Sequence, residues 1–315
     1  MRVFDKAEIV AALEPLELQE VLERAFIAYS LGAAVLAPVS ELLFDNPPGD
    51  VHIKAGYVAG DEHFVVKIAS GFYQNPDLGL PSSNGLMLLF SQRTGQAVAL
   101  LHDEGHLTDV RTAVAGQIAA AHLAPTLVTR IGILGTGTQA WLQLRYLQTV
   151  TPCREVLVWG RREEALQRYR NDMAALGFKV ATTGQASEVA ATCNLIVTTT
   201  PSTEALLRSE DVRAGTHITA VGSDTPEKCE LEPALLARAD RVVVDSLRQS
   251  RERGEVSQAL RRGVIFEDKL VELGNLLRDK GLGRSSDDEL TIADLTGLAV
   301  QDLAIAEAVY VHLSP

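Results

Sequence analysis

From Arg130 onward the chain alternates short apolar runs with helical stretches, and no other feature limits its fold so strongly. RIGILG (130–135) precedes TQAWLQLRYLQTV (138–150); EVLVWG (155–160) precedes REEALQRYRNDMAALG (162–177). KVATT, a short helix around ASEVAATC, NLIVTTT (194–200), THITAVGS (216–223) and RVVVDS (241–246) continue the pattern. Runs of Val, Ile and Leu separated by helices predict a parallel sheet buried on both faces. The fold expected here is a Rossmann-type, doubly wound α/β domain.

The first 120 residues read differently. One amphipathic helix is followed by VLAPVSELLF, DVHIKAGYV, HFVVKIASGF, GLMLLFSQ and QAVALLHDE, joined by turns rich in Gly, Pro, Asn and Asp. That punctuation predicts antiparallel strands and an α+β domain. TDVRTAVAGQIAAAHLA (108–124) gives an Ala-rich helix leading into the second domain, and LTGLAVQDLAIAEAVYVHL, beyond Asp294, a last apolar helix returning to the first. The expected division is therefore 1–122 with 295–315 as one domain, around the Rossmann-type domain at 123–294.

The 315 residues, 46% of them hydrophobic, are enough for two cores. A net charge of −12 argues against a nucleic-acid surface, which needs clustered cations. No apolar run reaches bilayer length, and MRVFDKAEIVAALEPLELQEVLERAF lacks the apolar centre of a signal peptide. Cys153, Cys193 and Cys229 lie far apart, as free thiols of a cytoplasmic protein would. Neither they nor the seven histidines show metal-ligand spacing, so no metal is expected.

GTGTQA, comprising Gly135, Thr136, Gly137, Thr138, Gln139 and Ala140, matches the dinucleotide fingerprint. Gly135 permits the tight turn, Gly137 lets a pyrophosphate approach the backbone, and Ala140 lets helix and strand pack closely. The helix N-terminus offers N–H groups and a favourable dipole to the phosphates. Thr199 and Thr200, and Val221 and Gly222, end later strands at the sheet's carboxyl edge, where such ligands bind. An NAD site places an acid at the end of the second strand; here Arg161 and Arg162 follow Trp159-Gly160. Two cations there suit a 2′-phosphate and favour NADP(H), with NAD(H) possible.

Lys67, in the middle of FVVKIASGF, is costly to desolvate unless something negative meets it. It is either an edge-strand lysine reaching solvent or an anchor for an anionic ligand. Arg111, early in the Ala-rich helix, is either solvated, paired with Asp109, or the second cation of a carboxylate grip. Asp224 follows a strand end and reads either as an N-cap or as a group near the nicotinamide. Lys54, in HIKAGY, reads by itself as a solvent-facing strand residue.

The ordered set FVVKIASGF, LTDVRTAVAG, IGILGTGTQA, ITAVGSDTPEKCEL and DLTGLAVQD resembles the ornithine cyclodeaminase/mu-crystallin family over nearly the whole chain. The resemblance implies a homodimer formed by the non-Rossmann domain. It also implies that Lys67 and Arg111 bind the substrate carboxylate and that Asp224 is the acid/base at the reacting nitrogen. One departure matters: Lys54 stands where cyclodeaminases carry a glutamate, which implies a substrate contact there, and it would repel the side-chain ammonium of ornithine. The resemblance therefore implies an NAD(P)H-dependent reductase of cyclic 2-imino acids such as pyrroline-2-carboxylate or piperideine-2-carboxylate. The competing readings are a cyclodeaminase with bound NAD⁺, converting L-ornithine to L-proline and ammonia, and a mu-crystallin-like NADPH-dependent binder.

Overall fold

The structure, a computed structural model, describes residues 1–314. It divides into two compact units, Met1–Arg111 with the chain from Leu298 onward, and Thr112–Gly297. The first border falls inside a helix, earlier than the expected border at residue 122, and Arg111 itself belongs to the first unit.

The first unit begins with β1 (Arg2–Asp5), α1 (Lys6–Leu13) and α2 (Leu18–Ser30), where the sequence suggests one continuous helix. Pro15 separates the helices, since a proline inside a helix removes a donor and clashes with the preceding turn. Asp5 starts α1 with a reciprocal cap: Glu8 N–H donates to Asp5 Oδ1 at 3.0 Å and Asp5 N–H to Glu8 Oε2 at 2.9 Å. VLAPVSELLF also divides, into β2 (Ala34–Leu36) and β3 (Ser40–Asp45), on either side of Pro38. The long strands β4 (Pro48–Val58), β5 (His63–Phe72), β6 (Ser83–Ser91) and β7 (Ala97–His102) complete a sheet of order β1-β7-β6-β5-β4-β2, with β3 also on β4. The pairings are antiparallel except β1 on β7. Period-two alternation puts His63, Val65 and Lys67 of β5 on the buried face, while Phe64, Val66 and Ile68 are only half-buried. The apolar neighbours on either side of Lys67, Val66 and Ile68, thus face the other way.

The helix α3 (His106–Leu123) carries the border between the units. The second unit continues with β8 (Ile131–Leu134), α4 (Thr138–Tyr146), β9 (Glu155–Trp159), α5 (Glu163–Ala175) and β10 (Lys179–Thr183). Next come α6 (Ala186–Thr192), β11 (Leu195–Thr198), β12 (His217–Ala220), α7 (Pro233–Arg238), β13 (Arg241–Val244), α8 (Leu247–Ser250) and α9 (Gly254–Arg261). The unit ends with β14 (Leu270–Glu272), α10 (Leu273–Arg278) and β15 (Thr291–Asp294). All eight strands are parallel, in the order β10-β9-β8-β11-β12-β15-β13-β14. The first five run third-second-first-fourth-fifth by chain position, the doubly wound order, so the chain reverses direction across the sheet between β8 and β11.

Alternate residues of each strand feed two cores. Ile133, Val158 and Val197 pack with Ala140, Leu144 and Tyr169; Leu134, Leu157 and Ile196 pack with Val189, Leu235 and Val256. The strands β14 and β15, which the sequence reading lacks, are short pieces beside charged segments. Thr291–Asp294 nevertheless occupies the slot between β12 and β13, all four residues buried. The last helix, α11 (Ala299–Leu313), returns to the first unit and packs on α2, β4 and β5. Among the described residues, no helix is long and apolar enough to cross a membrane.

Candidate active site

Antiparallel register places Lys54 of β4 directly opposite Lys67 of β5, on the buried face. Both are almost completely enclosed, at 5% and 2% exposure, and like charges facing across strands repel. The first turns of α3 bring Arg111, 6% exposed, to the same place. The anion that meets them is internal. Asp302, in the first turn of α11 and 0% exposed, lies 3.0 Å from Lys67 Nζ through Oδ2 and 3.0 Å from Arg111 Nε through Oδ1. Lys67 Nζ also donates to Oδ1 at 3.1 Å. Burial alone would raise the Asp302 pKa, but the charges of Lys67, Arg111 and Lys54 outweigh it and hold the carboxyl below its ordinary range. Asp103 stands nearby. It caps α3 by accepting from Leu107 N–H at 2.6 Å; burial pushes its pKa up while the helix amides and the Lys67 charge oppose that.

These positions exclude only the solvent-facing readings. Lys67 and Lys54 are enclosed and not solvent-facing, and Arg111 pairs with Asp302. Asp302 lay within DLTGLAVQD without being singled out. The signal was there: an aspartate in an apolar helix demands a cation by the same logic that makes Lys67 demand an anion.

In the second unit the fingerprint turn closes between β8 and α4. Gly135 has φ +119°, a conformation that L side chains rarely adopt, and a Cβ there would collide with Thr199 Oγ1. Its N–H donates to Trp159 O at 3.0 Å, tying the turn to the end of β9. Gly137 caps α4 in extended conformation, and a Cβ there would meet nothing within 4 Å. That leaves open space over the first turn of α4, where Thr138 is exposed and Gln139 half-buried. Ala140 is fully buried against Tyr169, whose hydroxyl donates to Ala140 O at 2.9 Å. Beyond β9, a Cβ on Gly160 would press to 2.9 Å from Thr136, and Arg161 and Arg162 follow with exposed side chains.

The neighbouring strand ends converge on this turn. Thr199 donates to Leu134 O through N–H (2.9 Å) and Oγ1 (3.0 Å). Val221 N–H donates to Thr198 O at 3.0 Å, and a Cβ on Gly222 would collide with the Thr200 backbone. A helix N-terminus without a side-chain cap, a glycine that leaves its approach open, and polar strand ends around it fit a dinucleotide phosphate.

Asp224 lies in the loop after β12, and no helix starts there; α7 begins at Pro233 with Glu232 as its N-cap. The N-cap reading is thereby excluded. Its half-exposed carboxylate accepts from Lys228 Nζ at 2.6 Å, and Arg253 donates to its backbone carbonyl at 3.2 Å. Behind this loop sits a group of acids that sequence reasoning missed. Glu230, Glu255, Asp294 and Asp245 are each at most 1% exposed. Burial pushes Glu230 up to about 7 against the opposing hydrogen bonds from Thr198, Thr200 and Gly222. Burial, with the nearby Asp245 charge, takes Asp294 to about 7 although Val256 N–H opposes it, and Glu255 lies well above its ordinary value, first through burial and then through Asp294 and Glu230. No sequence spacing announces this group, because its members come from four separate segments.

The chain is similar over its whole length to known proteins. A cyclodeaminase of Sinorhizobium fredii, itself uncharacterised, is 40% identical over 97% of this chain and 94% of its own. An archaeal alanine dehydrogenase, solved as a dimer with bound NAD, superposes with a TM-score of 0.89 at 35% identity, covering 99% of this chain and 95% of that one. The Δ1-pyrroline-2-carboxylate reductase of Thermococcus litoralis, solved with NADH and L-proline, gives a TM-score of 0.92 at 26% identity, covering 99% and 97%. The model of the ornithine cyclodeaminase/mu-crystallin family matches residues 2–314, and the chain belongs to that family.

Proposed function

We propose that the protein is an NAD(P)H-dependent reductase of 2-imino acids, with cyclic ketimines such as pyrroline-2-carboxylate or piperideine-2-carboxylate as the substrate class. The observation that carries this reading is the convergence of Lys67 and Arg111, from different elements, on the single buried carboxylate of Asp302. Two cations that already share one carboxylate are held where they can share a second. Arg111 meets Asp302 through Nε, so the terminal amino groups of the guanidinium can grip the substrate bidentately. Lys54 adds positive potential from the facing strand.

In this mechanism Lys67 and Arg111 fix the carboxylate and thereby orient the C=N carbon. Asp224 supplies or shares the proton that turns the imine into an iminium and makes its carbon electrophilic; a placed acid contributes about 10²–10⁴-fold. Lys228 Nζ holds Asp224 Oδ1 in place until a substrate nitrogen takes over that contact. Gly135–Ala140, Thr199, Thr200, Val221 and Gly222 would hold the nicotinamide dinucleotide, which would supply the hydride when bound. Arg161 and Arg162 favour the 2′-phosphate of NADPH over NADH.

The cyclodeaminase reading is kept alive by Asp224, and it is opposed by Lys54, which is buried among cations and would repel a second ammonium. One stoichiometry assay separates the readings. A reductase consumes NADPH with a cyclic imino acid, a cyclodeaminase releases ammonia without net cofactor change, and a binder does neither.

A homodimer through the first unit completes the proposal. Val35, Leu42, Phe44 and Tyr57 expose apolar side chains on one face of the neighbouring strands β2, β3 and β4, a patch that a second copy would cover. A monomer in sedimentation at micromolar concentration would contradict this.

A further inference from the structure

Four donors from two loops end on one carboxylate. Glu230 Oε1 accepts from Thr200 N–H at 2.6 Å and Thr200 Oγ1 at 2.8 Å. Its Oε2 accepts from Thr198 Oγ1 at 2.7 Å and Gly222 N–H at 3.0 Å. Thr198 ends β11 and runs on into Thr199-Thr200, while Gly222 follows β12, so Glu230 joins the carboxyl ends of two adjacent strands. The joint is tight, because a Cβ on Gly222 would strike both the Thr200 backbone and Glu230 Oε2. Glu230 is itself held from behind. Its N–H donates to Glu255 Oε1 at 2.7 Å, and Leu231 N–H donates to Oε2 of the same carboxylate at 3.0 Å.

We infer that Glu230 is a positioning residue for nicotinamide-cofactor binding, fixing the Thr199-Thr200 and Val221-Gly222 loops against one another. The inference rests on the cofactor reading above. Its chemical basis is that two of the four donors are main-chain N–H groups, one on each oxygen. A hydroxyl can rotate to become an acceptor; a main-chain amide cannot. A carboxyl group accepts on both sides at once, whether ionised or with its proton turned toward a threonine hydroxyl. Glutamine in the same place would turn its NH₂ toward either Thr200 N–H or Gly222 N–H, whichever way the amide is set, and one loop would be released. Thr199 carries the effect onward, because it holds Leu134 O and fills the space beside Gly135.

The test compares the full-length wild type with Glu230→Gln in fluorescence titrations with NADPH and NADH, alongside thermal melting and amide hydrogen exchange. Cooperative melting should persist while both nucleotides bind about tenfold more weakly or worse. Exchange should accelerate at one of the two amides, Thr200 or Gly222, with the amides inside β11 and β12 unchanged. A purely structural role would lower the melting temperature and leave affinity per folded molecule intact, and that result overturns the inference. If Glu230→Gln does not fold, Thr198→Val removes one hydroxyl donor from a buried strand residue; severalfold weaker nucleotide binding supports the inference and unchanged binding overturns it. Wild-type protein that binds neither nucleotide overturns the cofactor reading and this inference together, whereas wild-type binding with unchanged affinity in the folded variant overturns the inference alone.

Discussion

The two units bury charge in opposite ways. In the first, Lys54, Lys67 and Arg111 surround Asp302, and cation meets anion within about 3 Å. In the second, four carboxylates gather behind the Asp224 loop, and the donors they meet are mainly main-chain amides and hydroxyls: Thr200 and Gly222 N–H on Glu230, Glu230 and Leu231 N–H on Glu255, Val256 N–H on Asp294, and Gly297 N–H on Asp245. Opposite charges lower one another's cost of burial, so the Asp302 pKa falls below its ordinary value. Amides offset only part of the desolvation, and like charges add to it, so Glu230, Asp294 and Glu255 rise. The lesson concerns use. A cluster of paired ions stays charged, while a cluster of amide-held acids takes up protons nearer neutrality.

The largest effect should come from breaking the paired cluster. Asp302→Leu leaves Lys67 and Arg111 without their buried partner and should cost about 3–5 kcal/mol of stability in urea denaturation. A loss under 1 kcal/mol would show that the cations do not depend on Asp302.

The clusters should also answer pH with opposite signs. Asp302, lowered in the fold, contributes stability above its unfolded value near 3.8 that is lost as pH falls further. Glu230 and Asp294 are raised, from 4.5 and 3.8 to about 7, so they bind protons more tightly folded than unfolded. Their contribution is fully present below pH about 4 and is lost as pH rises through about 7, at about 3 kcal/mol for Glu230 and about 4 kcal/mol for Asp294. Urea titrations between pH 4.5 and 7.5 should show this decline, and Asp294→Asn should flatten it. An unchanged slope in the variant would remove Asp294 from the account.

Lys67→Met tests whether the paired cluster also holds substrate. It keeps the apolar stem and leaves Asp302 its contact with Arg111. Among folded molecules kcat/KM for a cyclic imino acid should fall about a hundredfold, or roughly 2–4 kcal/mol of transition-state binding. NADPH affinity should hold. Near-normal turnover would make the cluster purely structural. The smallest effect belongs to the exposed pair Arg161 and Arg162: changing both to Ala should weaken NADPH about tenfold and NADH little, and equal losses would end the 2′-phosphate assignment.

Much of this was legible in the chain itself. The apolar runs after Arg130, GTGTQA after a strand, and Gly/Pro-punctuated strands before residue 105 are local patterns, set by side-chain period and turn chemistry, and they announced both sheets. Lys67 could be questioned from its neighbours alone. The sequence could not say which face Lys67 occupies, because an apolar run flanks it on both sides; register across β4 and β5 decided that and set Lys54 opposite. Nor could it pair Lys67 and Arg111 with Asp302, which lies 235 residues beyond Lys67 along the chain. Glu230, Glu255 and Asp294 meet only because β15 inserts between β12 and β13 and brings its end beside α9. Local propensity reads neighbours along the chain. The cost of burying a charge is settled by neighbours in space, and for this protein only the tertiary fold chose them.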